Sequence, residues 1–490
     1  MANKISRLQR VLPWRKHKLL YFFLILGILS LVIHVRAGLV APPAGTYYQG
    51  QEQIAQQLAF HVDDSWLNQQ GERELQQSIF DEVLARIRAA RELILIDMFL
   101  FNDFQGPVAE TTRAISGELT RVLVEQKQAF PDMRIVVISD PINTVYGGTS
   151  NAGFDLMKDA GIELVLTELN QLRDSNAVYS FIWRWLIAPF GNQRGDTVPN
   201  PFGAGRVTIR SYLKMANFKA NHRKILLSDT PEGLQALVTS ANPHDGSSAH
   251  RNVALSFGGP AVHDLLVSEN AVLALSGVPP VTVPVATDNP TEVEETGVRI
   301  QVLTEKRIKD RILDLLRTAR TGDRVDLLMF YLADRDVVKA LVDASRNGVL
   351  VRVILDVNRD AFGRQKNGVP NKPVAHELHR AGIPVRWCST AGEQCHAKML
   401  LSSSGSTMAM LSGSANFTRR NLENFNLETD VALYGSPDHP VLRQAQDLFD
   451  RYWSNDDQRK FTVAYAEHRD ERQWLRWLYL FMEASGLSTF

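Results

Sequence analysis

Cysteine is nearly absent from this chain: two residues in 490 cannot make a disulfide framework. Excess charge is absent too, with 54 Lys and Arg against 54 Asp and Glu. Charged residues at 22% and apolar residues at 44% exclude a disordered or collagen-like chain, and the length suits about two to four domains with full cores. A third absence is local. Residues 1–36 contain Lys4, Arg7, Arg10, Arg15, Lys16, Lys18 and Arg36 and no Asp or Glu. From Ala37 onward 47 basic residues face 54 acidic ones, a body of net charge −7. Such a body is no general polyanion binder, because wrapping a phosphate backbone by long-range electrostatics takes a basic face. Local basic patches remain compatible with it.

The acid-free segment is built around an apolar run. Leu19 to Ile33 is uncharged for 15 residues, 17 with His34 and Val35, at the short edge of a membrane span. Its basic flank is N-terminal, so the positive-inside rule places the N-terminus in the cytoplasm and the body outside it, in the periplasm if the chain is bacterial. Val35-Arg36-Ala37 puts a bulky Arg inside a small-residue cleavage pattern, and the run exceeds an ordinary signal-peptide core. Both points favour an uncleaved signal-anchor over a cleaved signal peptide. In an oxidising space Cys388 and Cys395, seven positions apart, can bridge and clamp the loop that leads into His396; two reduced buried thiols are the alternative.

The remainder repeats itself. After a polar lead-in (37–78), Ile79, Phe80, Val83, Leu84 and Ile87 fall at helical spacing and Leu93–Phe101 reads as a buried strand. The same order returns with Ile312, Leu315 and Leu316 before Val325–Leu332. A second strand follows in each case, Arg134–Asp140 and Val351–Asp356, and then a helix closed by Gly161 or Gly382. The pattern predicts an α/β protein of two duplicated halves, 79–270 and 298–454, each βαβ-rich around a mostly parallel sheet. A Pro- and Val-rich linker (271–297) joins them. The first half carries an insertion over about 167–213 that contains Tyr179-Ser-Phe-Ile-Trp-Arg-Trp-Leu-Ile-Ala-Pro-Phe190, suited to a membrane interface or lipid-binding wall, or to a satellite core patch. The C-terminal tail (455–490) is amphipathic and docks on the body or lies on a membrane.

One constellation carries chemistry. His222-x-Lys224 is followed by Ser240 and Asn242, and His396-x-Lys398 by Ser414 and Asn416; His to Ser is 18 positions and His to Asn 20 in both copies. A single His-x-Lys on a strand is an accident of a solvated face; two, with matched Ser and Asn inside a duplication found from other residues, are not. Positions i and i+2 of a strand share a side, so each copy presents an imidazole and an ammonium together. Two halves packed about a pseudo-twofold axis bring two His, two Lys and two Asn to one cleft, making one site in a monomer. That inventory suits phosphodiester chemistry: one imidazole attacks phosphorus, the other protonates the leaving alkoxide, and Lys and Asn hold the phosphoryl oxygens. It calls for no metal, and no zinc or two-metal carboxylate set stands nearby in sequence.

These paired motifs resemble those of the phospholipase D superfamily, over about residues 80 to 455. The resemblance implies two steps through a phosphohistidine, water or an alcohol as acceptor, no cofactor, and His222, Lys224, Asn242, His396, Lys398 and Asn416 as site residues with Ser240 and Ser414 in support. Asp229 completes the first motif, whereas Ser403 stands at that place in the second. Glu428 supplies the downstream carboxylate of the second half, with Ala254 at the matching place in the first. Family precedent makes His222 the nucleophile; local chemistry suggests His396 if Glu428 orients it. Asn416-Phe-Thr418 is a glycosylation sequon by chance, since a modified Asn416 would block the site.

Three readings follow. The first is a membrane-tethered enzyme acting on phospholipids, resembling cardiolipin synthases. The second is an anchored nuclease, with Arg206, Arg210, Lys214, Lys219 and Arg223 tracking a nucleic-acid backbone. The third, resting on Ser403 and Ala254, is a non-catalytic phosphate binder.

Overall fold

The computed structural model describes residues 18–106, 108–109, 111–190, 195–231, 233–283, 297–361, 364–488 and 490. Lys4, Arg7, Arg10, Arg15 and Lys16, residues 284–296 of the linker and 191–194 of the insertion lie outside the described residues. Helix α1 (Lys18–Leu39) takes in the apolar run and continues past Arg36. Its 22 residues reach about 33 Å, enough for a hydrocarbon core of roughly 30 Å, so the apolar run understates the span. Leu20–Leu39 is long and apolar enough to be a candidate membrane span.

The lead-in is structural. β1 (Gln53–Ile54) pairs with β12 (Arg299–Thr304) of the second half, and β2 (Gln56–Leu67) joins the sheet of the first, so this stretch ties the halves together. The first sheet runs β3 (Arg73–Gln76), β2, β11 (Asn252–Gly258), β10 (Gly233–Thr239), β9 (Lys224–Thr230), β4 (Leu93–Met98), β5 (Arg134–Ser139), β6 (Glu163–Leu166). The second runs β1, β12, β20 (Thr429–Gly435), β19 (Thr407–Gly413), β18 (Lys398–Ser404), β13 (Arg324–Met329), β14 (Leu350–Leu355), β17 (Val385–Cys388), β21 (Thr462–Ala464). Seven strands correspond in order, β2-β11-β10-β9-β4-β5-β6 with β12-β20-β19-β18-β13-β14-β17, which shows the duplication. Two further pairs, β7 (Val198–Pro199) with β8 (Arg206–Val207) and β15 (Asp360–Ala361) with β16 (Arg364–Gln365), are small hairpins.

The sheets are mixed rather than mostly parallel. β4, β5 and β6 are parallel, as are β13, β14 and β17, but β9, β10 and β11 are antiparallel, because the β9–β10 connection is far too short for a crossover. Period-two alternation gives each sheet two apolar faces. Ile225, Leu227, Val238 and Leu255 share a core with Met399, Leu401, Met410 and Val431 of the other half, whereas Leu226, Leu237 and Ala254 pack with the helices Ile79–Ala89 and Ile115–Ala129. The result is helices, sheet, sheet, helices, with the two halves sharing a core. Gly161 and Gly382 take φ of 81° and 84° just past their helices, the left-handed stop that the sequence announces.

The tail docks. β21 extends the second sheet, and the helix Gln473–Ser485 buries Leu475, Tyr479 and Glu483. Cys388 and Cys395 are joined as a disulfide.

Candidate active site

His222 and His396 stand immediately before β9 and β18, Asn242 and Asn416 just after β10 and β19, so sheet order alone gathers one set from each half at the same end of its sheet. Backbone bonds across the halves then register the two sets. His222 N–H donates to Leu427 O at 2.9 Å and Leu427 N–H to Ala220 O at 3.0 Å; His396 N–H donates to Arg251 O at 2.9 Å and Arg251 N–H to Gln394 O at 3.0 Å. Each half therefore holds the histidine loop of the other. Asp140 and Asp356 brace these loops by accepting the N–H groups of Asn221 and Cys395, both at 2.8 Å. Both imidazoles and both asparagines line a single cleft of about 480 Å³. Phe99 lies edge-on to His222 at 4.7 Å and Phe330 against His396 at 4.8 Å.

The imidazoles differ in what orients them. His222 Nδ1 lies 2.9 Å from Glu428 Oε2, and Ser414 Oγ and Asn421 Nδ2 donate to the same carboxylate. His396 Nδ1 lies 3.1 Å from Asn252 Oδ1, which also accepts Ser240 Oγ at 3.0 Å. Glu428 thus serves the histidine of the opposite half, not His396. The position matching Glu428 is Asn252, not Ala254: Ser240 N–H pairs with Val253 O as Ser414 N–H pairs with Thr429 O, placing Asn252 and Glu428 alike one residue earlier. The loop from Asn to the next strand is two residues longer in the second half, which defeats a match by constant spacing. Constant spacing pairs Asn252 with Asn426, whereas the fold pairs it with Glu428 as the group that orients an imidazole.

The lysines sit deeper than expected. Lys224 and Lys398 are fully buried, each Nζ donating to the carbonyl of its own motif's histidine at 2.6 Å, and neither side chain lines the cleft. Burial pulls Lys224 down to about 7 against the attraction of Glu428, and pulls Lys398 down as well, with Lys224 adding repulsion. Burial, reinforced by both lysines, holds His222 and His396 well below the ordinary imidazole value, hence neutral. Burial raises Glu428 to about 7. Asn242 Oδ1 accepts Leu100 N–H at 3.2 Å, while Asn416 Oδ1 is buried with no hydrogen-bond partner among the described residues.

Asp229 is not at the cleft. Its carboxylate accepts the backbone N–H groups of Arg91, Glu92 and Leu93 at 2.9, 3.0 and 2.8 Å and so fixes the start of β4. Five strand residues from Lys224, it lies about 17 Å along β9. Ser403 stands at that remote end of the second sheet, paired with Arg324. Four of the five residues of the basic cluster before the first motif are engaged internally. Arg223 is buried between Glu269 and Glu305, each at 2.8 Å, Lys219 pairs with Asp174 at 2.8 Å, and Arg206 and Arg210 donate to backbone carbonyls. Among the described residues no group of three or more His, Cys, Asp and Glu is arranged to hold a metal ion.

Residues 312–453 match the family model described as "Cardiolipin synthase, PLD-like domain". The second half thus carries a phospholipase D-like domain. The likeness in fold extends over both halves: phosphatidylserine synthase from Haemophilus influenzae Rd KW20 superposes with a TM-score of 0.53 over 94% of this chain and 98% of that one, at 11% identity. Polyphosphate kinase from Porphyromonas gingivalis matches 89% of this chain and 54% of its own at 15% identity, with a TM-score of 0.45. Nuc, a phospholipase D family member from Salmonella typhimurium, matches 33% of this chain and 99% of its own at 20% identity, with a TM-score of 0.27. No curated protein sequence matches the chain.

Proposed function

We propose that this phospholipase D superfamily protein is a phosphodiesterase or phosphatidyltransferase acting on phospholipids, with His222 as nucleophile and His396 as general acid. The observation that carries the assignment is the hydrogen bond from His222 Nδ1 to Glu428. A carboxylate that accepts Nδ1–H leaves Nε2 with its lone pair and stabilises the charge that grows on the ring as Nε2 bonds to phosphorus. His396, held by the neutral Asn252, lacks that stabilisation and suits proton delivery.

In the first step His222 Nε2 forms a bond to phosphorus as the bond from phosphorus to the leaving alcohol breaks, and His396 gives its proton to that oxygen. The anionic phosphate lets His396 carry this proton, offsetting the burial that otherwise keeps the imidazoles neutral. In the second step neutral His396 takes a proton from water or an alcohol, whose oxygen displaces His222 from phosphorus. Lys224 and Lys398 act from beneath as buried positive charge opposite the phosphoryl oxygens, and Asn242 and Asn416 supply amide donors.

Two observations favour lipid over nucleic acid. Phe104, Ile142, Tyr146, Phe202, Met215 and Phe218 give the cleft an apolar wall suited to acyl chains, and Lys219 and Arg223 of the basic cluster that might have tracked a nucleic-acid backbone are ion-paired within the protein. The family description, which names cardiolipin synthase, supports the same substrate class. The non-catalytic reading loses its footing, since Asp229 and Ser403 lie off the site and Ala254 is not the counterpart of Glu428. The test is to incubate the purified full chain with phosphatidylglycerol labelled at phosphorus, quench in alkali and map the label. Label on His222, its loss in His222→Ala, and its accumulation in His396→Asn are expected. Label on His396 would reverse the roles, and cleavage of single-stranded DNA without lipid turnover would replace the substrate.

A further inference from the structure

The insertion of the first half contains an apolar helix whose outer face nothing in the described protein covers. It runs from Ala177 through a widened turn at Trp183–Ile187. Trp183 is buried, but Trp185, Leu186 and Phe190 are 64%, 66% and 70% exposed. We propose that this helix is seated in the bilayer that α1 crosses, embedding Trp185, Leu186 and Phe190 in the leaflet nearest the body.

Three independent features support that occupant. The first is continuity: Ala177–Ile182 packs against α1, and Arg173, just before it, donates to Gly38 O at 2.8 Å in the last turn of α1 and to Glu423 O at 3.1 Å. The exposed face is therefore attached to the candidate span. The second is the treatment of polar groups. The carbonyls at the helix end, which at a wet surface would be left to water, are taken by one guanidinium: Arg210 donates to Phe190 O at 2.5 Å and Ala188 O at 2.8 Å. Arg184, the one charge between Ala177 and Phe190, is paired with Asp174 at 3.0 Å through both carboxylate oxygens. Satisfying backbone and charge from within the protein is what a low-dielectric surrounding demands. The third is length. Eleven residues from Ala177 to Ile187 reach about 16 Å, half the hydrocarbon thickness, so the element enters one leaflet and does not span. The same region lends Phe202 and Met215 to the cleft wall, which sets the cleft beside the leaflet surface.

The inference rests on α1 spanning a bilayer and not on lipid being the substrate. For the test, the full chain carrying Leu186→Cys is labelled with nitrobenzoxadiazole and reconstituted into vesicles of phosphatidylethanolamine and phosphatidylglycerol containing nitroxide-bearing lipid; Leu350→Cys, exposed at the opposite end of the second sheet, is the control. The label at 186 should shift to the blue and be quenched, and that at 350 should not. Water-like, unquenched emission at 186 would overturn the inference. So would a blue-shifted label that lipid nitroxides do not quench but that cross-links to a second copy of the chain. A Trp185→Ser/Leu186→Ser/Phe190→Ser variant should turn over vesicle phospholipid roughly tenfold more slowly than the parent and a short-chain soluble phosphodiester equally fast. If the parent turns over no lipid while the label at 186 is quenched, the membrane seat stands and the lipid-substrate reading fails.

Discussion

Glu428 and His222 come from different halves of the duplication and meet at 2.9 Å. The pseudo-equivalent contact, Asn252 with His396 at 3.1 Å, has an amide in place of the carboxylate. The cleft is symmetric in its histidines, lysines, serines and asparagines but not in the groups that orient its imidazoles. Glu428→Gln keeps the shape and removes the charge, and should lower kcat about 10²- to 10⁴-fold with the phosphoenzyme step slowed. Asn252→Asp should instead raise the pKa of His396 by about one unit or more. Protonated His396 drives the first step, so activity is lost as pH rises through that value; the alkaline limb of the kcat profile should move to higher pH. An unmoved limb would remove His396 from the role of acid.

Burial holds Lys224 down to about 7 beneath the cleft. Bound anion favours its charged form, so binding between that value and the higher one of the complex takes up a proton, and affinity falls by up to tenfold per pH unit above neutrality. Calorimetry of sulfate binding in buffers of different ionisation heat should show net proton uptake at mildly alkaline pH. PH-independent affinity in that window would contradict it.

Asp229→Ala leaves three N–H groups at the entrance to β4 without their acceptor. It should cost about 1–3 kcal/mol in denaturant unfolding while leaving kcat unchanged. A large loss of kcat at full stability would put Asp229 back in the chemistry.

The Cys388–Cys395 bridge closes a short loop ending beside His396. Chain entropy assigns such a closure about 2–3 kcal/mol. Cys388→Ser should lower the melting temperature of the oxidised protein, and reducing the parent should reproduce the change; equal melting of parent and variant would show that the bridge contributes nothing.

Local sequence determined the chemistry set, the duplication and the candidate span. His-x-Lys and Ser-x-Asn are fixed by short hairpins whose spacing survives in both halves, and the candidate span is legible because Leu19–Ile33 is uncharged throughout. The tertiary structure alone decided which carboxylate serves which imidazole. Equivalent residues such as Asn252 and Glu428 are separated from their partners by 144 and 206 positions, and a two-residue difference in one loop hides their correspondence. It also decided that Arg223 is spent on the buried carboxylates of Glu269 and Glu305 and Lys219 on Asp174, that Asp229 holds a turn, and that the lead-in belongs to the sheets. Charge and strand period state what a residue carries and which face it takes. What lies opposite that face is set by packing two sheets whose strands are contiguous in space and remote in sequence.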